Sequence, residues 1–146
     1  MLLSNAELPK VAVEEMNEVH SVEVDILNKL YSKILEYEEN NSKFEEVVKL
    51  FDEFLNDVIQ HFSFEQSLME KYNFFAYPMH RGEHDRVLFE LKSLEKMLKE
   101  KNDVKTLKEY LIYNFKPWLI NHIKTMDTVT AMYLSNFLWY NIFYGI

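Results

Sequence analysis

The chain has 146 residues, the length of one ordinary domain and enough to bury a core of its own. With 48% hydrophobic and 15% aromatic residues but only two Gly and three Pro, it is too apolar for disorder and too poor in turn residues for an all-β fold. A formal charge of −8 repels phosphate, which sets aside nucleic acid and anionic membrane surfaces as partners, and the lack of Cys removes disulfides, thiolate metal sites and thiol chemistry.

Met1 to Lys10 reads as an arm, with Pro9 ill suited to a helix interior. It lacks the basic start and apolar run of a secretory signal, so a cytoplasmic location is expected. A first helix follows, in which Val13, Met16, Val24, Leu27, Tyr31 and Ile34 recur at helical spacing and His20 falls on the same stripe. The acidic, Asn-rich run from Glu38 to Ser42 ends it and offers N-caps for the next helix.

The second helix, roughly Lys43 to Lys71, sets Phe51, Phe54, Leu55, Val58, Phe62, Leu68 and Met69 on one face, with His61 and Glu65 in its middle. The aromatic segment Tyr72 to Tyr77 interrupts the pattern, and Pro78 suits the first turn of a third helix. That helix runs to about Glu100 through Val87, Leu88, Leu91, Leu94 and Leu98, with His80 and His84 near its start. After a turn at Asn102 and Asp103, the last helix carries Leu107, Leu111, Phe115, Leu119, Ile123, Met126, Thr130 and Tyr133 on one stripe, with His122 and Asp127 on or beside it. Pro117 removes a backbone hydrogen bond and crowds the carbonyl of Tyr113, so a kink is expected there. No charged residue follows Asp127, and an aromatic end runs from 137 to 144, expected to cover the bundle or a second subunit rather than to span a membrane.

Four amphipathic helices joined by short turns form an all-α, up-down-up-down antiparallel four-helix bundle. At ~1.5 Å per residue, His20 lies roughly 27 Å and His61 roughly 28 Å from the first turn. Glu65 and His84 each stand about 9 Å from the second turn, and His84 and His122 roughly 24 Å and 28 Å from the third. All five histidines of the chain, with Glu65 and Asp127, therefore converge on one slab of the core.

One buried histidine is usually a core residue whose ring nitrogens find a carbonyl. Five at one level beside two carboxylates call for another explanation, because burying two carboxylates without a cation costs several kcal/mol each, on the order set by desolvation. A divalent metal supplies the missing charge. Seven nitrogen and oxygen ligands exceed what one zinc takes, and two metals sharing two bridging carboxylates use all seven. The step from His122 to Asp127 is the loosest, since five residues turn an ideal helix by about 140° and the pair meets only across a wide face or through local distortion.

The ordered series His20, His61-x-x-x-Glu65, His80-x-x-x-His84 and His122-x-x-x-x-Asp127, flanked by Trp118-Leu119-Ile120-Asn121 and Leu68-Met69-Glu70-Lys71-Tyr72, resembles the hemerythrins, particularly the bacterial hemerythrin-like proteins. The resemblance implies a single hemerythrin-like domain over residues 1–146, with an arm at 1–12, a bundle at 13–135 and an extension at 136–146. It also implies a cofactor of two iron ions joined by an oxo or hydroxo bridge. One iron would be held by His80, His84 and His122, the other by His20 and His61, with Glu65 and Asp127 bridging. The implied partner is dioxygen, bound reversibly at the open position of the two-histidine iron, which would also admit nitric oxide or small anions. Alternatives on the same centre are a peroxidase, an oxidase, a nitric oxide reductase or a role in iron binding and detoxification. Asn17 and Val19 stand where the family usually carries aspartate and glutamine. Oligomeric state is left open.

Overall fold

The structure, a computed structural model, describes residues 1–144, with side chains through residue 138. It is the expected antiparallel bundle, with no strand among the described residues. Its first three rods are α1 (Glu14–Glu38), α2 (Phe44–Lys71) and α3 (Tyr77–Lys101). The fourth is continuous but uneven: α4 (Val104–Tyr110), a π turn (Leu111–Phe115), α5 (Lys116–His122), a second π turn (Ile123–Asp127) and α6 (Thr128–Tyr144).

Each of the three turns between rods contains an asparagine at positive φ, Asn40 at 61°, Asn73 at 53° and Asn102 at 52°. A helix commonly ends on a residue in the left-handed region, and glycine is the usual occupant. This chain spends neither of its two glycines there and uses asparagine, whose short polar side chain tolerates that conformation best after glycine. Asn102 lets its own N–H return to the carbonyl of Leu98 and close the last turn of α3. The expected N-cap for α2 takes a different form. Lys43 occupies the position without a side-chain cap, Glu46 reaches back to accept from the Lys43 N–H at 2.8 Å, and Ser42 donates instead to the Lys33 carbonyl. Pro78 lies in the first turn of α3, as its missing N–H allows.

The break expected at Pro117 is displaced. Proline deprives the carbonyl four residues earlier of its donor, and the chain answers with the π turn Leu111–Phe115, so that Pro117 begins a new helical segment where no N–H is needed. The arm is also more ordered than an arm suggests. Leu3 is fully buried in the main core, and the Asn28 side chain clasps the segment, its Oδ1 accepting from the N–H groups of Leu2 and Leu3 and its Nδ2 donating to the Leu3 carbonyl at 2.7 Å.

The apolar core falls into two parts. The larger runs through Leu27, Ile34, Phe51, Phe54, Leu91, Leu98, Leu107 and Phe115; the smaller joins Val13, Met16, Ala131 and Leu134. Burying each large side chain contributes about 1.5–3 kcal/mol, which holds the four rods together without help from the slab between the two parts. Of the aromatic end, Phe137 stacks on Tyr72 with ring centroids 4.9 Å apart, and Leu138 packs against the smaller core; the side chains from 139 onward lie outside the described residues.

Asn102→Gly is expected to keep or raise the melting temperature, whereas Asn102→Val should cost about 1–2 kcal/mol, the penalty of the left-handed region for a side chain with a bulky Cβ. Thermal unfolding of the two variants followed by circular dichroism checks this; equal melting temperatures would show that the turn conformation carries no strain.

Candidate metal centre

The slab between the two cores holds every one of the seven side chains singled out from the sequence. His20, His61, His80, His84 and His122 are at most 2% exposed, and Glu65 and Asp127 are fully buried. α1 supplies His20, α2 supplies His61 and Glu65 one turn apart, and α3 supplies His80 and His84, again one turn apart. The fourth rod contributes His122 at the end of α5 and Asp127 at the end of the second π turn. The five-residue step between them, too wide for a straight α-helix, is bridged by the local distortion. Hydrogen bonding from i to i+5 brings residues five apart onto one face, and His122 Nε2 comes to lie 3.2 Å from Asp127 Oδ1.

The carboxylates divide the slab into two lobes. Glu65 Oε2 lies 2.7 Å from His61 Nε2 and 3.4 Å from His20 Nε2, and Asp127 Oδ2 lies 3.0 Å from His20 Nε2. Their other oxygens face the opposite way. Glu65 Oε1 is 3.4 Å from His84 Nε2 and 3.5 Å from His80 Nε2, while Asp127 Oδ1 is 3.1 Å from His80 Nε2. Two overlapping sets of donors result, His20, His61, Glu65 and Asp127 in one lobe and Glu65, His80, His84, His122 and Asp127 in the other, all donor atoms of each set lying within 4.8 Å of one another.

Proximity here is not hydrogen bonding. Nε2 of His20 and His84, Oε1 of Glu65 and both oxygens of Asp127 are buried without a hydrogen-bond partner. Native proteins rarely bury so many polar atoms unpaired, and atoms that crowd to about 3 Å while aiming past one another share a centre rather than a bond. The residues therefore fit a pair of cations, one in each lobe, with each carboxylate facing both.

Around the donors sits a second ring of contacts. His61 Nδ1 meets Glu23 Oε1 at 3.0 Å, His80 Nδ1 meets the Thr130 hydroxyl at 2.8 Å, and His84 Nδ1 meets Gln66 Oε1 at 3.1 Å. Phe62 stacks flat on His84 with centroids 3.9 Å apart, and Trp118 stacks on His122 at 4.5 Å while its Nε1 donates to Glu83 at 2.7 Å. Sequence reasoning missed Glu23, although its signal was present: it stands three residues after His20, on the stripe that also carries Val24 and Leu27. Asn17 takes no part in this ring. It clasps Val11 through reciprocal bonds of 2.9 Å to its N–H and carbonyl, tying the start of α1 to the chain before it.

The electrostatics follow from the crowding. Burial alone would keep the rings neutral, but the carboxylates of Asp127 and Glu65 outweigh it and lift His20 and His80 to about 9. His61 is likewise carried well above its ordinary value against its burial, by Glu23 and Glu65. At His84 burial wins, and with the charges of His80 and His122 it holds the ring below its ordinary value despite Glu65. Against the cost of their own burial, the histidines hold Glu65 and Asp127 well below the usual carboxylate range.

Fold and cluster together define a class, the four-helix bundles that bind metal in a buried slab of histidine and carboxylate. The model of the hemerythrin HHE cation binding domain matches residues 11–134, and the chain belongs to the hemerythrin family. It is 36% identical over 137 residues to the bacteriohemerythrin of Aquifex aeolicus (strain VF5), covering 93% of this chain and all of that one. It is 30% identical over 117 residues to a hemerythrin-like protein of Naegleria gruberi, covering 80% of this chain and 81% of that protein. A crystal structure of wild-type hemerythrin superposes with a TM-score of 0.73 at 23% identity, covering 92% of this chain and 98% of that one, a likeness of fold. The family is in general one of oxygen-binding di-iron proteins. No helix among the described residues is long and apolar enough to cross a membrane.

The raised values fix a pH dependence. In the metal-free protein, protons on His20 and His80 stabilise the fold fully below their unfolded value near 6.5, and that contribution is lost as pH rises through about 9. Cations compete with the same protons, so loading at pH 7 should release protons and weaken as pH falls. Calorimetric titration with Co2+ in buffers of different ionisation enthalpy measures the release; a heat independent of buffer would contradict it.

Proposed function

We propose that the protein binds dioxygen reversibly at a non-heme di-iron centre held by His20, His61, Glu65, His80, His84, His122 and Asp127, serving oxygen storage, delivery or sensing. The observation that carries this reading is the division of the slab into unequal lobes. Three histidines face one lobe and two the other, while both carboxylates reach into each. With the same bridging oxygens on each side, the lobe of His20 and His61 has one protein donor fewer, and that lobe is the place for a small ligand. The iron pair supplies the electrons that let a diatomic ligand be held and given back.

The protein's own side chains do the rest. Glu65 and Asp127 hold the two lobes at a fixed separation and provide the negative charge that two divalent cations need. The Nδ1 contacts of His61, His80 and His84 lock each ring with its Nε2 turned inward. Phe54, Val58, Phe62 and Leu27 are buried beside the cluster and exclude water, which would otherwise promote irreversible oxidation. A surface cleft of about 480 Å3, lined by Val19, Val22, Asp57, Gln60, His61 and Phe64, reaches the two-histidine lobe and gives a small uncharged ligand a short path to it. Five imidazoles and two carboxylates make a less electron-rich set than the carboxylate-dominated sites of ferritin-like bundles, which favours holding oxygen over activating it.

The iron-loaded protein is expected to show a visible absorption band that appears on aeration and vanishes on deaeration through repeated cycles. Irreversible oxidation with turnover of a supplied reductant would replace this reading by that of an oxidase or peroxidase. Glu65→Ala is expected to lose the paired centre, falling from two bound irons to one or none, while its circular dichroism remains helical. Retained reversible binding in that variant would remove Glu65 from the site.

A further inference from the structure

We propose that Glu23 is a positioning residue that acts through His61 to make the two-histidine lobe electron-rich independently of the three-histidine lobe. The proposal rests on the di-iron reading above. Its basis is an asymmetry in what stands behind the rings. Behind His80 is a hydroxyl, behind His84 a side-chain amide oxygen, and His20 Nδ1 is buried with no partner among the described residues. Behind His61 alone stands a carboxylate.

The difference has chemical content. A hydroxyl can donate or accept, whereas the ionised carboxylate of Glu23 only accepts, so the proton of His61 must sit on Nδ1 and the lone pair on Nε2 must face the lobe. A carboxylate on the far nitrogen also draws that proton outward and raises the basicity of the near one. Hydroxyl and amide partners do this far less. The lobe with fewer histidines thus has the more strongly donating one, which favours oxidation of its cation over that of its neighbour.

The cost of the arrangement argues against a purely structural role. Glu23 is fully buried, its Oε2 has no hydrogen-bond partner, and no lysine or arginine pairs with it. Asp57, one turn before His61 on α2, has a buried Oδ2 that is also unpartnered. Burial and then the charge of Glu23 push Asp57 up to about 6, which places two carboxylates in each other's field. An apolar residue at position 23 would avoid both penalties and continue the stripe of Val24 and Leu27. What such a residue would forfeit is the anionic contact with His61 Nδ1. Glu23 lies three residues after His20 on the same face of α1, so one helix provides a donor for the lobe and the partner that tunes the second donor.

Glu23→Gln separates charge from hydrogen bonding, since the amide oxygen still accepts from Nδ1. Titration of the metal-free variant with Zn2+ is expected to show one of its two sites weakened by about 10- to 100-fold, the range for removing such an outer partner, with the other unchanged. NMR of the zinc-loaded variant should show the His61 Nδ1–H resonance moved upfield, and the iron-loaded variant should have a higher midpoint potential. Thr130→Val, on the His80 side, should weaken the other site instead. Unchanged zinc affinities and potential in Glu23→Gln would overturn the proposal, as would equal weakening of both sites. The zinc titration and the proton resonance are read without oxygen, so a wild-type protein that failed to bind oxygen reversibly would refute the proposed function and leave this result standing.

Discussion

Two buried carboxylates with too few positive charges around them are the constraint on which the rest of the structure depends. Glu65 and Asp127 are wholly out of water, and no lysine or arginine reaches them. Without metal, protons on His20, His61 and His80 balance them; with metal, two cations take over that task. Either solution demands that four rods keep their heights and faces to within an ångström or so, because the interaction of charges in a poorly polarisable core changes steeply with distance. The two apolar cores provide that rigidity, one on each side of the slab. The polar centre decides which arrangement of a generic bundle is functional, and the apolar ends make a bundle form at all.

Much of this was legible in the sequence because it depends on regular geometry. Helical rise and short turns put His20 opposite His61 and Glu65 opposite His84, and the structure brings all seven side chains together. What escaped depends on departures from regularity or on residues whose role is ambiguous by type. Pro117 announced a break but not its form, since the strain can be relieved in the turn before it as well as at the proline itself. The arm of residues 1–12 gave no hint that Asn28, a surface-type residue on α1, would clasp Leu2 and Leu3 to the core. Glu23 was hidden by expectation, because a glutamate on a helix is normally solvated and only its partner three-dimensionally across the bundle reveals it as buried.

The outer contacts also explain how two lobes built from nearly identical donors can differ. The donors at the centre are imidazole and carboxylate throughout, so selectivity between the lobes must come from the number of rings and from what lies behind them. Trp118 and Phe62 cover the three-histidine side with flat rings, His122 and His84 being fixed against them. The two-histidine side faces instead a cleft edged by Glu15, Glu18 and Asp57. One lobe is thus walled and the other approachable, a division of labour set by side chains that touch no cation.

The second π turn has a consequence for how this chain can change over generations. A π turn is an α-helix with one residue inserted, and here the inserted residue lies between two donors that must share a face. Deleting any one residue between His122 and Asp127 would restore a straight helix that is more regular, and would swing everything C-terminal to it by about 100°, one residue's share of an α-helical turn. The fourth rod is therefore free to accept substitutions along its length yet closed to single-residue gaps in this interval, so the irregular spacing is an inheritance that regularity alone would erase.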